Sequence, residues 1–275
     1  MLQDTKLGFV GSGVMAEAIL NGLLAEQLVS APNITCADPL PTRLETLAEQ
    51  YGVRTTTENT TAVDGADIVV LSIKPQALGD VMHDIRKHVR GEQLVLSIIA
   101  GVTTETLCKG LEHEAVVRVM PNTPAQLGEG MSVWTCTAAV SESDRQKARR
   151  ILQALGEEVY VSREGELDMA TALSGTGPAY VFLFMEALVD AGVHMGFSRR
   201  IAEQLVLQTV KGSVDYALKS PRHLAELRNQ VTSPGGTTAD ALYHLEKGGM
   251  RTVISKAVFA AYKKSQYLSR LIEED

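Results

Sequence analysis

A short stretch toward the end of the chain combines hydroxyl groups and glycines at a predicted helix start. It comprises Ser233, Pro234, Gly235, Gly236, Thr237 and Thr238. The serine suits an N-cap, and the proline suits the first helical position. The two glycines leave backbone N–H groups open to a small anion, which the helix dipole attracts, and the threonines add hydroxyls beside it. Taken alone, the stretch is more typical of an ordinary capped helix than of a binding site.

A second chemical motif opens the chain, where the apolar residues 7–10 precede the sequence Gly-Ser-Gly-Val-Met-Ala and an amphipathic segment. Gly11 permits a tight turn, Gly13 lets the backbone approach a pyrophosphate, and Ala16 lets a helix pack closely on the strand. A strand before the glycines and a helix after them form the context of a dinucleotide site. The residues predicted to form this site are Gly11, Ser12, Gly13, Val14 and Met15.

Asp38 and Arg43, which follow the second predicted strand, bear on the choice of cofactor. Asp38 stands where a carboxylate bonds the adenosine ribose diol and disfavours a 2′-phosphate, which indicates NADH. Arg43, one turn into the next helix, is within reach of a 2′-phosphate, which indicates NADPH. Both are also consistent with ordinary surface charges. The predicted cofactor is therefore NADPH or NADH, with the choice open.

Three later strand ends carry rigid or small residues where ligands lie in an open α/β sheet. Lys74 and Pro75 follow one strand, Ala100 and Gly101 follow the next, and Asn122 lies in a Pro-Asn-Thr-Pro turn after a third. Each turn alone is consistent with an ordinary strand end or helix start, where proline and glycine are common. Because they share one edge of the predicted sheet, the five residues together predict the nicotinamide end of the cofactor site.

No residue pattern indicates a metal site or a strong general acid or base. The six histidines lack metal-ligand spacing, and there is no Gly-x-Ser-x-Gly elbow of a hydrolase. Lys211 would suit a β-hydroxyacid dehydrogenase, but Asp215 stands four residues on, where that chemistry favours Asn. We interpret this lysine as solvated.

Composition argues against several kinds of partner. A net charge of −7 without a Lys/Arg-rich block disfavours nucleic acid and anionic membranes. Three scattered cysteines suit a reducing compartment and form neither a disulfide framework nor a zinc site. No signal-peptide pattern precedes the first strand, and acidic residues interrupt the most apolar later segment. We expect a cytoplasmic protein that binds a small molecule.

The period of the apolar residues changes once along the chain. Expected strands are Leu7–Val10, Ile34–Ala37, Ile68–Ile73, Leu94–Ile99, Ala115–Met120, Met131–Thr135 and Glu158–Val161. Helices between them have capping-box starts at Thr42 and Ser141. Later segments are expected to be helical throughout: Pro178–Met195, Arg199–Leu218, Pro221–Arg228, Pro234–Lys247 and Arg251–Ile272. The predicted fold class is an α/β Rossmann-like domain with a mostly parallel sheet, residues 1–163, followed by an all-α domain, residues 164–275.

The segment Pro178–Val193 has almost no polar face, so a helix there must be buried on all sides. A helical domain of roughly a hundred residues hides only about two-thirds of its surface alone. We therefore expect a second subunit to pack against these helices. The alternative is a central helix in a monomeric bundle.

Five segments resemble pyrroline-5-carboxylate reductases over nearly the whole chain. They are the opening glycine motif, Ile73–Gln76, Arg118–Pro124, Ser174–Tyr180 and the stretch that ends at Thr238. The resemblance implies reduction of Δ1-pyrroline-5-carboxylate to L-proline with NADPH or NADH, the last step of proline biosynthesis. It also implies a helical dimerisation domain, with homo-oligomers built from dimers through the C-terminal helices.

The resemblance further implies how the substrate is held. Its carboxylate is expected at Ser233, Gly235, Gly236, Thr237 and Thr176. Thr238 is expected near the imine nitrogen, which must be protonated once a hydride reaches the imine carbon. Because threonine is a poor acid, we expect Thr238 to act by positioning and hydrogen bonding. Val14 stands where the family often has Asn and lacks its polar group, whereas Thr176 replaces a common Ser and keeps the hydroxyl.

Two alternatives remain at this stage. The first is another imine or β-hydroxyacid reductase on the same fold, although a β-hydroxyacid enzyme would need the missing Lys-x-x-x-Asn pattern. The second is a non-catalytic sensor that binds a dinucleotide.

Overall fold

The computed structural model describes residues 2–274, with side chains up to residue 272. The described residues fall into two compact units. The first joins the chain up to Thr176 with the segment from Ala261 onward, and the second comprises Gly177–Ala260.

One sheet organises the first unit. Its strands are β1 (Leu7–Val10), β2 (Ile34–Ala37), β3 (Arg54–Thr56), β4 (Ile68–Leu71), β5 (Leu94–Ser97), β6 (Val116–Met120), β7 (Gly130–Cys136) and β8 (Gly156–Tyr160). Their spatial order is β3-β2-β1-β4-β5-β6-β7-β8, and all neighbours are parallel except β6 and β7. The first six follow the order of a dinucleotide-binding fold, whose switch point lies between β1 and β4. The predicted mostly parallel sheet is confirmed.

Helices of the first unit cover both faces of this sheet, and helices also make up the second unit. The helices are α1 (Val14–Ala25), α2 (Pro41–Tyr51), α3 (Asn59–Val63), α4 (Leu78–Ile85), α5 (Thr104–Leu111), α6 (Glu142–Gln153), α7 (Glu166–Ala170), α8 (Gly177–His194), α9 (Arg199–Lys219), α10 (Leu224–Gln230), α11 (Thr237–Lys247) and α12 (Met250–Glu274). One buried cluster includes Ile19 of α1 and Ile151 of α6, and the other includes Ile85 of α4 and Leu107 of α5. The sheet is therefore buried between two apolar layers.

The buried strands are those that the apolar runs predict. Every residue of β1, β4 and β5 is buried, which explains their continuous apolar sequences, because helices lie on both faces. All seven predicted strands are present, with ends within two residues. The short edge strand β3 was not predicted, because its sequence Arg-Thr-Thr has no apolar residue.

The predicted helix starts have mixed outcomes. Ser141 caps α6, since its hydroxyl oxygen accepts a hydrogen bond from the N–H of Asp144 at 3.1 Å. The predicted capping box at Thr42 is wrong, because α2 begins at Pro41, whose fixed φ suits the first helical position. The helix expected from Pro221 begins at Leu224 instead.

The second unit contains α8 to α11 and the first part of α12, all of them predicted helices, but little buried apolar surface. Helices α8 and α9 approach closely where Gly192 meets Ala202, since a Cβ on the glycine would lie 3.0 Å from the alanine Cβ. Within one chain α8 is not buried on all sides, because Phe182 and Leu183 are 61% and 66% exposed, as expected if a second subunit packs on it. A monomeric bundle therefore does not cover this helix. Such an apolar surface marks a site of association.

The predicted domain boundary between residues 163 and 164 stays a prediction. In the structure the first compact unit continues to Thr176, and the second begins at Gly177. The segment between belongs to the first unit through Glu164. Its carboxylate accepts hydrogen bonds from the backbone N–H and hydroxyl of Thr104 at 2.7 and 2.6 Å. It also pairs with the buried guanidinium of Arg118 at 2.8 Å.

Candidate active site

The turn after β1 requires its first glycine. Gly11 has φ +83°, in the left-handed region that favours glycine. A Cβ there would lie 2.8 Å from the carbonyl oxygen of Ser72, the residue after β4. The Ser72 hydroxyl in turn donates to the Gly11 carbonyl at 2.6 Å. The glycine turn therefore lies at the switch point of the sheet, where open α/β folds bind ligands.

The second glycine leaves space that a dinucleotide fits. Gly13 precedes α1 as its N-cap and has no side chain that could accept the first N–H groups of the helix, while its carbonyl accepts a hydrogen bond from Arg43 at 3.4 Å. A Cβ on Gly13 would have no described atom within 4 Å. Val14 beside it is 62% exposed, and Met15 is half-buried. Open backbone N–H groups at the positive end of a helix dipole suit a pyrophosphate.

Ser12 connects this turn to the end of β2. Its N–H donates to Asp38 Oδ2 at 3.0 Å, and its buried hydroxyl donates to the carbonyl of Ala37 at 3.0 Å. The other oxygen of Asp38 accepts the N–H of Leu40 at 3.0 Å. Two backbone donors thus hold the half-buried carboxylate at the place expected for the ribose diol.

Arg43 lies against the same turn. Its Nε donates to the Ser12 carbonyl at 2.7 Å, and one terminal nitrogen pairs with Glu17 Oε2 at 2.5 Å. Glu17 Oε1 accepts the hydroxyl of Tyr51 at 3.0 Å. The guanidinium that the sequence assigned to a 2′-phosphate therefore already has a carboxylate partner.

A cavity of about 1170 Å³ lies within the first unit. Four of the predicted site residues line it, namely Pro75, Ala100, Gly101 and Thr176. Gly101 adopts φ +78°, which allows the tight turn after β5. Lys74 is exposed and precedes a short 3-10 turn, Pro75–Ala77. The cavity is ample for a small organic ligand.

Asn122 has a different environment from the one expected. Its side-chain amide donates to the Ser174 carbonyl at 3.1 Å and accepts from the N–H of Met131 at 2.9 Å. Ser174 lies in a π-helical turn, Thr171–Gly175, a rare conformation that is frequent at functional sites. Thr176 follows and donates its hydroxyl to the Thr171 carbonyl at 2.8 Å.

The hydroxyl-rich stretch in the second unit is arranged differently from the prediction. The predicted N-cap at Ser233 and first helical residue at Pro234 are wrong, since α11 begins at Thr237 with Gly236 as its N-cap. The preceding residues form a turn in which the Gly236 N–H donates to the Ser233 carbonyl at 3.0 Å. Gly235 adopts φ +70° in this turn, which accounts for a glycine there. The first helical residues are now both threonines, whose N–H groups have no carbonyl partner inside the helix.

The predicted site residues thus form two groups. The first unit holds Gly11, Ser12, Gly13, Val14, Met15, Asp38, Arg43, Lys74, Pro75, Ala100, Gly101, Asn122 and Thr176. The second unit holds Ser233, Gly235, Gly236, Thr237 and Thr238.

The chemistry on offer is binding and orientation. Burial raises the pKa of the Cys36 thiol to about 12, outweighing the opposing effects of its hydrogen bond with Ser12 and of the Arg43 charge. Burial also raises the pKa of Tyr51, and its hydrogen bond with Glu17 adds to this. Across residues 2–272, no group of three or more His, Cys, Asp or Glu side chains is placed to hold a metal ion.

Comparison with known proteins places the chain in a family. Residues 164–268 match the family described as pyrroline-5-carboxylate reductase dimerisation, and residues 6–101 match the family described as NADP oxidoreductase, coenzyme F420-dependent. The pyrroline-5-carboxylate reductase of Synechocystis sp. is 41% identical over 265 residues, covering 96% of this chain and 98% of the relative. The chain belongs to the pyrroline-5-carboxylate reductase family.

Solved structures of the family agree with this assignment. The Plasmodium falciparum pyrroline carboxylate reductase with NADP bound has a TM-score of 0.89 and 34% identity, covering 98% of this chain and 100% of its own. The Coxiella burnetii pyrroline-5-carboxylate reductase has a TM-score of 0.90 and 35% identity, covering 97% and 99%. The predicted family, activity class, Rossmann-like fold, C-terminal dimerisation domain and NADPH or NADH cofactor class are confirmed.

Sequence reasoning missed three residues at the cofactor turn. Glu17 pairs with Arg43, and Tyr51 donates a hydrogen bond to Glu17. The Ser72 hydroxyl donates to the Gly11 carbonyl at the switch point. Glu17 belongs to the first turn of α1, where an acid is common for helix-dipole reasons, so its type carried no distinguishing signal.

Proposed function

We propose that the chain reduces Δ1-pyrroline-5-carboxylate to L-proline, with the dinucleotide held by the first unit and the substrate carboxylate held by the turn before α11. The observation that carries the proposal is the glycine turn at the sheet's switch point. Gly11 is required there by φ +83° and by contact with Ser72, and Gly13 leaves its backbone open. Family membership supports the choice of substrate.

The first unit supplies orientation. The N–H groups at the start of α1 would hold the pyrophosphate, and the Asp38 carboxylate would accept hydrogen bonds from the ribose diol. When bound, a reduced nicotinamide supplies the hydride for the imine carbon. Pro75, Ala100 and Gly101 give one part of the cavity a rigid, small-residue lining against which the nicotinamide ring would lie.

The second unit supplies anion binding without an arginine. The N–H groups of Thr237 and Thr238 open α11, where the helix dipole favours a carboxylate. The Ser233 hydroxyl is exposed beside them. Thr238, half-buried, would hydrogen-bond the nitrogen that gains a proton and would fix its orientation.

We also propose that the enzyme works in the cytoplasm as a homo-oligomer built from dimers through its C-terminal helices. The helical stretch Glu166–His194 is long and apolar enough to span a membrane by length and composition, with mean hydropathy 1.3. A second copy is the better occupant of this surface, because residues 164–268 match a dimerisation family. Light scattering of the purified chain should give a dimer or a multiple of it, and a monomer at micromolar concentration would contradict this.

A single assay tests the activity. Reduced-nicotinamide absorbance is followed after addition of Δ1-pyrroline-5-carboxylate, with NADPH and NADH in parallel. We expect substrate-dependent oxidation of the cofactor and formation of proline. Dinucleotide binding without turnover would indicate a sensor instead. Turnover of β-hydroxyacids would indicate the other reductase class, which is disfavoured because Lys211 pairs with Asp215 at 2.6 Å on α9.

A further inference from the structure

The ribose end of the cofactor turn carries three charged side chains. Ser12 joins two of them, because its N–H bonds the Asp38 carboxylate at 3.0 Å and its carbonyl bonds Arg43 Nε at 2.7 Å. The third is Glu17, which pairs with the Arg43 guanidinium at 2.5 Å. One of the two carboxylates, that of Glu17, thus pairs with the guanidinium, and the other, that of Asp38, accepts the N–H groups of Ser12 and Leu40.

The pair between Glu17 and Arg43 is well anchored for a partly exposed one. The two side chains are 26% and 23% exposed, so solvent screens them only in part. The second oxygen of Glu17 accepts the Tyr51 hydroxyl at 3.0 Å, and Arg43 is fixed by the Ser12 carbonyl. Burial raises the pKa of Tyr51, so that this hydroxyl stays a donor at neutral and mildly alkaline pH.

This arrangement opposes a 2′-phosphate in two ways. A phosphate at the ribose would meet the Asp38 carboxylate, and it would have to compete with Glu17 for the Arg43 guanidinium. A ribose diol meets neither obstacle, since it donates hydrogen bonds to a carboxylate.

We propose that Glu17 tunes the cofactor preference of this enzyme, holding Arg43 away from a 2′-phosphate and so weakening the binding of NADP(H) relative to NAD(H). The inference rests on the proposed function, because it concerns the same dinucleotide site. Glu17 is a specificity residue that acts through Arg43.

Binding of NADP⁺ and NAD⁺ by isothermal titration calorimetry tests this independently of turnover. We expect Glu17→Gln to lower the Kd for NADP⁺ about tenfold, the size of one hydrogen bond to a charged group, and to leave the Kd for NAD⁺ within about threefold. Arg43→Gln should remove the gain, so that the double variant binds NADP⁺ as weakly as Arg43→Gln alone. The ratio of kcat/KM values for NADPH and NADH should shift in the same direction.

Glu26→Gln is the matched control, because Glu26 follows the same helix at its far end and pairs with Arg150 at 3.4 Å. It should leave the ratio of the two Kd values unchanged. Should Glu17→Gln fail to fold, Glu17→Asp shortens the reach to Arg43 while keeping the charge, and a smaller shift toward NADP⁺ is expected.

An unchanged ratio in the Glu17 variant, or an equal shift in the Arg43→Gln background, would overturn the inference. Binding of both dinucleotides without pyrroline reduction would overturn the proposed activity only. The Kd values of the Glu17 variant would still decide whether Glu17 affects NADP⁺ binding. Failure to bind either dinucleotide would overturn both.

Discussion

The side-chain amide of Asn122 donates a hydrogen bond to the carbonyl oxygen of Ser174 at 3.1 Å, across 52 residues of chain. The carbonyl of the same amide accepts from Met131 at 2.9 Å. One side chain thus joins the end of β6 and the start of β7 to the π-helical turn that precedes Thr176. This geometry supports a positioning role for Asn122, and the direct cofactor contact that the sequence suggested stays a prediction.

Asn122→Asp tests this role, because it removes the donor to Ser174 and keeps an acceptor for Met131. Leaving a half-buried carbonyl unpaired costs about 1–3 kcal/mol, so the free energy of unfolding should fall by about that amount. Thr176 loses support, so the KM for the pyrroline substrate should rise more than the KM for the dinucleotide. Denaturant unfolding and steady-state kinetics measure both. Gln126→Ala, an exposed amide in the next turn, is the control, and a rise in the dinucleotide KM alone would favour direct contact.

The two glycines of the cofactor turn should respond differently to alanine. Gly11→Ala imposes φ +83° on an L-residue and places a Cβ 2.8 Å from the Ser72 carbonyl, so we expect a loss of about 1–3 kcal/mol in stability. Gly13→Ala meets no described atom within 4 Å, so stability should change by less than about 0.5 kcal/mol. The Kd for the dinucleotide should nevertheless rise, on the order of tenfold, because the methyl group occupies the path of the pyrophosphate. Calorimetric Kd values equal to wild type would show that no phosphate approaches Gly13.

Features fixed by local pattern were predictable from the sequence. The strands β1 and β2 match their predicted ends, because each is a short run of β-forming or apolar residues that ends at a turn residue, Gly11 or Asp38. Gly11 was recognised because only glycine tolerates the turn between a strand and a helix at this spacing. Family resemblance then supplied the activity, which no single residue announces.

Features that depend on contacts between distant segments were not predictable. The bonds of Glu17 with Arg43 and with Tyr51 need α1 to lie beside α2, and nothing in the spacing of these residues encodes them. The start of α11 was misplaced because a serine and a proline make a good local signal, whereas the chain forms a turn through Gly235 first. The bond between Asn122 and Ser174 likewise depends on the sheet bringing β6 to the π-helical turn.

Cys36 should be inert to alkylation in the folded enzyme. Burial raises the pKa of its thiol to about 12 from 9.0, so the reactive thiolate is absent at ordinary pH, and the side chain is 1% exposed. Iodoacetamide labelling read by mass spectrometry should modify the half-buried Cys136 first and Cys36 only after unfolding. Equal labelling rates for Cys36 and Cys136 in the native enzyme would contradict the assignment.

The Cys36 thiol also predicts a dependence of stability on pH. Since this thiol loses its proton at lower pH in the unfolded chain than in the folded one, it lowers the free energy of unfolding as pH rises from 9 toward 12.

Thr238→Ala tests the proposed hydrogen bond to the imine nitrogen. Thr238 is the second residue of α11, past the cap, so its side chain is not needed to begin the helix. We expect kcat to fall about 10- to 100-fold. This is no more than the fall in kcat when one preorganised hydrogen-bond donor is removed, because threonine positions the nitrogen without acting as a strong acid. Thr238→Ser keeps the hydroxyl and should retain most of the turnover. Stopped-flow and steady-state rates with Δ1-pyrroline-5-carboxylate give both values.

A matched control separates this chemistry from a general effect of losing a hydroxyl at a helix start. Ser198 caps α9 in the same unit, where its hydroxyl oxygen accepts the N–H of Ile201 at 3.4 Å. Ser198→Ala should cost about 1 kcal/mol of stability and leave kcat unchanged. Ser198→Ala should therefore lose stability and keep its kcat, whereas Thr238→Ala should lose kcat and keep its stability. Full turnover in Thr238→Ala would remove this residue from the mechanism and leave orientation by the backbone N–H groups of α11 as the contribution of the second unit.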